Sequence, residues 1–171
     1  MSEWLKKEKA AYIRNFIFGV EDSLVSTVGL VSGIAAAGVD RSTLFVTGMI
    51  LIVVEALSMG VGSLLAESSA EEFTDKRKTS LRLPITGALI MFVSYFVAGF
   101  IPLLPYAVLE TSRALPLSII VSLIALFLLG YVSAAMFNAP RTRSAWRMII
   151  LGGLAIAAGS LIGRFFHLSP L

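Results

Sequence analysis

The 171-residue chain contains no cysteine and one histidine, His167. The missing cysteines exclude disulfides, thiolate metal sites and thiol chemistry. A lone histidine near the end of the last apolar segment cannot build a His-rich metal centre or a Ser-His nucleophile within one chain. There is no Gly-rich phosphate loop, internal repeat or low-complexity segment. Charge is scarce too: Asp, Glu, Lys and Arg make up only 15% of residues. The basic residues border oily segments and form no stripe, so nucleic acid is not an expected partner. Nothing in this inventory points to an enzyme.

What is abundant is apolar surface. Hydrophobic residues account for 57% of the chain, and the mean hydropathy is +0.87. A soluble domain of this length has too little interior to hide them. Several runs reach the roughly 18–20 residues that cross a bilayer as helix, and none alternates as the strands of a membrane barrel do. The expected fold is an all-α integral membrane protein. It is one domain over residues 1–171 with five transmembrane helices, at about 14–38, 43–66, 83–106, 115–137 and 145–166. "AGVDRST" supplies a glycine to end the first helix and Asp40 or Ser42 to cap the second. Pro84 and Pro116 suit first turns, "IPLLPY" ends the third helix and "NAPRTR" the fourth. "MSEWLKKEKAAY" reads as a short amphipathic helix on the membrane surface.

The loops set an orientation. Lys6, Lys7, Lys9 and Arg14 precede the first helix. Lys76, Arg77, Lys78 and Arg82 lie between the second and third, and Arg141, Arg143 and Arg147 between the fourth and fifth. Of 14 basic residues, only Arg41, Arg113 and Arg164 fall on the other side. The excess of positive charge places the N-terminus in the cytoplasm and the C-terminus outside. A small-residue pattern in "GIAAAGVD" resembles a cleavage site, but the preceding run is too long and contains Glu21 and Asp22, so no cleavage is expected.

The acids inside these segments are costly. An ionised carboxylate at mid-bilayer costs roughly 2.5–3.5 kcal/mol on insertion scales. Asp22 lies about two turns into the first helix and Glu55 about halfway along the second, so both should face protein or a wet cavity. Helical spacing puts Asp22, Ser26, Gly29 and Gly33 on one face, and Glu55, Met59, Gly62 and Ala66 on another. The glycines permit close approach: Gly29 and Gly33 form a GxxxG pair, as do Gly159 and Gly163. The expectation is that the faces of the first two helices meet at mid-depth. Two acids, a hydroxyl and a thioether there make a divalent-cation site, and the sulfur shifts its preference from Mg²⁺ or Ca²⁺ toward Fe²⁺ and similar metals.

Plainer readings stand beside this one. Glu55 serves equally as a protonated hydrogen-bonding group between helices, Met59 as packing, and the GxxxG pairs as helix contacts. Glu21 points to the headgroups or pairs with Arg14. Glu67, Glu71, Glu72 and Asp75 are either a solvated helix end paired with Lys76, Arg77 and Lys78, or a vestibule that draws cations in.

These segments together resemble the vacuolar iron transporter family. The resemblance rests on "FGVEDSLVSTVGLVSG", "EALSMGVGSLLAESSAEEF", "ALIMFVSYFVAGFIPLLPY" and "RSAWRMIILGGLAIAAGSLIGR", in that order across nearly the whole chain. It implies a five-helix protomer, a homodimer in the lipid bilayer, and export of Fe²⁺ or Mn²⁺ from the cytosol in exchange for protons. The family's functional aspartate falls on Asp22 and its metal-binding methionine on Met59, with Glu55 one turn before. Where better-studied members have a further glutamate, this chain has Leu51. Iron-transporting members carry a Glu-rich cytosolic insert between the second and third helices. Here only residues 67–82 join the spans, as in the short, nodulin-like form, and Glu67, Glu71, Glu72 and Asp75 are what could remain of it.

The expected function is therefore proton-coupled export of a divalent transition metal. Asp22, Glu55, Met59 and Ser26 serve as metal ligands, and Gly29, Gly33, Gly60 and Gly62 allow helix movement. No tightly bound cofactor is implied, because the metal is cargo. The alternatives are a non-transporting membrane scaffold of the same fold, or a proton-coupled carrier for another cation or solute. With no recognisable organelle address, a prokaryotic cytoplasmic membrane is the expected location.

Overall fold

A computed structural model describes residues 3–74, 81–137 and 139–168, and its described elements are five α-helices. They are α1 (Glu3–Ala36), α2 (Arg41–Thr74), α3 (Arg82–Val108), α4 (Thr111–Met136) and α5 (Arg141–Leu168). Each contains a stretch long and apolar enough to cross a membrane. Large apolar side chains such as Ile50, Val54, Leu57 and Val61 of α2, and Ile150 and Leu154 of α5, lie on the outside of the bundle. In water that would be untenable, but in a bilayer these faces meet acyl chains at no cost.

The helices run further than the sequence indicated. Residues 3–13 do not form a separate surface helix; they continue α1 without a break. Likewise α2 passes residue 66 and reaches Thr74, carrying Glu67, Glu71 and Glu72 on the helix itself. "IPLLPY" does not stop α3, which runs through Pro102 and Pro105 to Val108. Prolines remove amide donors without breaking a membrane helix when neighbours engage the local backbone. Here Ser118 Oγ of α4 donates to the Pro102 carbonyl at 2.6 Å. Pro116 sits in the second turn of α4 rather than at its start, because that helix begins at Thr111.

Where α1 ends, Gly38 adopts φ 76°, a conformation that L side chains resist. Asp40 then caps α2: its carboxylate accepts the Thr43 amide at 3.0 Å and the Thr43 hydroxyl at 2.6 Å. The Thr43 hydroxyl, then its amide, hold the Asp40 carboxyl below its ordinary range. The histidine at the far end of α5 joins this turn, with His167 Nδ1 lying 3.0 Å from the Ala37 carbonyl.

Packing assigns the faces. The central helix, α1, lies along α3 on one side and α5 on the other, and it meets α2 over a shorter stretch. Leu24, Ala98, Leu126 and Met148 close one core cluster; Val31, Leu44, Ile52, Leu103 and Tyr106 close another. This corrects the expectation that the small face of α1 packs against α2. Gly29 and Gly33 instead meet the second GxxxG pair, Gly159 and Gly163 of α5, backbone against backbone. The matching α2 face carries the larger side chains of Glu55 and Met59, whereas two glycine ridges let backbones approach closely. Gly60 is also spent on packing, against Phe92 and Ala88 of α3. Gly62 faces open space.

Candidate cation site

The space left between α1 and α2 is where the intramembrane acids lie. Asp22 and Glu55 are both half-buried and within electrostatic reach of one another. Tyr95, a wholly buried residue of α3, is within electrostatic reach of both carboxylates. Ser26, one turn beyond Asp22, is joined to the Tyr95 hydroxyl at 2.7 Å.

Two cavities flank this cluster. One, of about 620 Å³, is walled by Glu21, Met59, Ser63 and Gly62, with Arg14 and Glu67 also in its lining. The other, of about 600 Å³, runs along Asp22, Ser26, Gly29 and Gly33, with Leu51 and Gly159 in its walls. Consecutive residues on α1, Glu21 and Asp22, thus look into different cavities. So do Met59 and Asp22, which the sequence reading had placed together, and Glu55 is in neither lining. Among the described residues, no three His, Cys, Asp or Glu side chains gather closely enough to hold a metal ion. One chain brings the two acids together but does not by itself converge a full ligand set.

The remaining acids divide. Glu67 is only 19% exposed and accepts a hydrogen bond from Arg14 at 2.9 Å. That ion pair takes Arg14 away from Glu21, for which the opposite charge in reach is Arg147 of α5. Glu71 is partly buried and Glu72 is exposed. Asp75, with Lys76, Arg77 and Lys78, lies outside the described residues.

Sequence reasoning missed three contributors. Asn15 is 5% exposed and lines the first cavity. Arg147 approaches from α5, and Tyr95 from α3. The only cue for Tyr95 was a pair of hydroxyl residues, Ser94 and Tyr95, in the otherwise apolar run "IMFVSYFVAGF".

The same stretch of chain has recognisable relatives. The family model described as "VIT family" matches residues 13–83 and 71–164. "Vacuolar iron transporter homolog 2" of Arabidopsis thaliana is 26% identical over 160 residues, covering 88% of this chain and 82% of the relative. "Vacuolar iron transporter homolog 4" of the same plant is 28% identical over 162 residues, covering 88% and 81%. "Vacuolar iron transporter 1", also from Arabidopsis thaliana, is 23% identical over 212 residues, covering 89% and 85%. That last alignment is longer than this 171-residue chain, so the relative carries extra residues inside the matched region. The alignments to homologs 2 and 4, over 160 and 162 residues, are shorter than this chain. With a family model covering most of its length and a five-helix bundle of membrane-spanning size, this chain belongs to the VIT family.

Proposed function

We propose that this multi-pass membrane protein exports Fe²⁺ and/or Mn²⁺ from the cytosol in exchange for protons, as a homodimer. The observation that carries the reading is the Asp22–Glu55 pair, two acids sharing an electrostatic neighbourhood within the spans and flanked by cavities along α1. Carboxyl oxygens can take up either protons or a metal ion, and metal ligands must be deprotonated. A dication therefore displaces protons as it binds. Exchange follows because one set of oxygens cannot hold both cargoes.

The homodimer answers the incomplete ligand set of one chain. A twofold axis near α1 and α2 doubles Asp22, Glu55, Met59 and Ser26, so that a six-coordinate site whose Asp22 is not reached by its own chain's Met59 draws its sulfur from the second protomer. Met59 shifts the preference toward Fe²⁺ and similar transition metals and away from Mg²⁺. The basic-loop asymmetry supports a cytosolic side for the cavity of Glu21, Met59 and Glu67, with Glu71 and Glu72 further along α2. Gly62 leaves room there for movement. The expected prokaryotic cytoplasmic membrane gains no support from relatives named for the vacuole. Transport away from the cytosol is the same proposal in either membrane.

A non-transporting scaffold is favoured by one observation, the absence of a three-acid cluster among the described residues of a single chain. Reconstitution separates the readings. Liposomes containing the purified protein and a trapped pH dye are exposed in turn to Fe²⁺, Mn²⁺, Co²⁺, Ca²⁺ and Mg²⁺. Proton movement driven by Fe²⁺ or Mn²⁺ alone supports the exporter. A response to none of them leaves the scaffold, and an equal response to all removes transition-metal selectivity.

A further inference from the structure

Tyr95 has no part in the ligand set proposed above, yet it is the residue through which α3 touches the cation site. We infer that Tyr95 is a positioning residue: it holds the Ser26 hydroxyl as an oxygen acceptor directed at the ion bound by Asp22 and Glu55. The inference rests on the proposed cation site and adds to it a third helix that orients the Ser26 oxygen.

The geometry is specific. Tyr95 is 0% exposed. Its hydroxyl lies 2.7 Å from Ser26 Oγ, and its backbone carbonyl accepts Ser23 Oγ at 2.6 Å. A single residue of α3 is therefore bonded to two serines one turn apart on α1. Gly99, one turn further along α3, makes room for the approach; a Cβ there would stand 3.0 Å from Ser23 Oγ.

The direction of the Ser26–Tyr95 bond follows from chemistry. A hydroxyl has one proton to give and two lone pairs. A phenol O–H is more acidic than an alcohol O–H, so the favoured bond has Tyr95 donating to Ser26. The Ser26 proton then turns to its own helix, where the Ser23 carbonyl is 3.5 Å away. One Ser26 lone pair is left facing the cavity that Asp22 also lines. A cation there reinforces this polarity, because it repels any O–H directed at it. Without the phenol, the Ser26 hydroxyl is free to rotate its proton toward Asp22 and compete with the cation.

The test is a double-mutant cycle in liposomes with Mn²⁺ as the transported ion. Tyr95→Phe keeps the ring and removes only the hydroxyl. It should raise KM for Mn²⁺ about three- to tenfold, the weight of one hydrogen bond, and change KM more than the maximal rate. Ser26→Ala should do the same, and Tyr95→Phe/Ser26→Ala should be no worse than either alone. If wild type transports and the two single effects multiply, or Tyr95→Phe leaves KM unchanged, the inference is wrong. A purely structural tyrosine would lower the unfolding temperature and leave KM in place. Should Tyr95→Phe fail to fold, Ser26→Ala decides, since unaltered KM in that variant also overturns the proposal. A wild type that moves no Mn²⁺ or Fe²⁺ overturns both the underlying function and this inference, and is read before any variant.

Discussion

Gly159 of α5 rests directly on the carbonyl of Gly29 in α1, with no room between them for a methyl group. One turn on, Gly163 stands in the same relation to Gly33. This seam anchors α1 to α5 and runs along one wall of the cavity that Asp22 lines, while α1 meets α2 over a shorter stretch.

The seam predicts a contrast among glycines of one helix. Gly159→Ala forces its Cβ into the Gly29 backbone and should destabilise the protein by about 1–3 kcal/mol, the usual cost of overpacking. Gly153→Ala meets nothing within 4 Å and should be neutral or stabilising by up to ~1 kcal/mol through helix propensity. Thermal unfolding of both variants in detergent checks this, and equal effects would mean that the seam is not tight.

Asp22→Ala should reduce metal-driven proton movement to the level of protein-free liposomes, while thermal unfolding shows a folded protein. The reason is the loss of a carboxyl that serves both cargoes. Exchange at the wild-type rate would take Asp22 out of the mechanism.

Met59→Leu should leave stability within about 1.5 kcal/mol, since the swap nearly conserves volume. The consequence should appear in competition assays, as lost preference for Fe²⁺ over Mg²⁺. Unchanged selectivity would assign the sulfur to packing.

Arg14 and Glu67 form an ion pair at the first cavity. Because the arginine is 66% exposed, breaking the pair should cost less than about 1 kcal/mol of stability. Transport should be more sensitive. Glu67→Gln should raise KM at low ionic strength and Arg14→Gln should lower it, with both effects shrinking as salt is added. Salt-independent effects would argue against electrostatic attraction at this entrance.

The cap at the start of α2 has a pH signature. Bonds from Thr43 depress the Asp40 carboxyl below its ordinary value of 3.8, so folding binds fewer protons there than the unfolded chain. Its contribution is present above the unfolded value and is lost as pH falls through the folded one. Wild type should therefore unfold at a higher temperature than Asp40→Ala at pH 7, and the gap should close as the pH is lowered below about 4. A gap that stays constant with pH would show that the carboxylate does not make the cap.

Much of this was legible in the sequence. Asp40 and Gly38 marked the first turn because caps and left-handed positions depend on local residue chemistry. Asp22, Ser26, Gly29 and Gly33 were read as one face, and all four line one cavity, because the helical period alone decides that. Glu55 and Asp22 were paired on cost, and they are in reach of each other. Pairing Met59 with Asp22 failed, since helical spacing says which residues share a face of one helix but not how a second helix is rotated against it. "IPLLPY" misled because a proline's local penalty was visible, whereas the continuation of α3 through Pro102 and Pro105 depends on its setting in the bundle.

The sequence alone determined the solvent, the number of spans and the residues too polar to face lipid, because transfer energies and helical period are properties of the chain itself. Tertiary structure decided which faces meet. It set α1 glycine-to-glycine on α5, brought Tyr95 to Ser26 and separated Met59 from Asp22. Those choices depend on side-chain volumes matched across helices, which no single segment encodes.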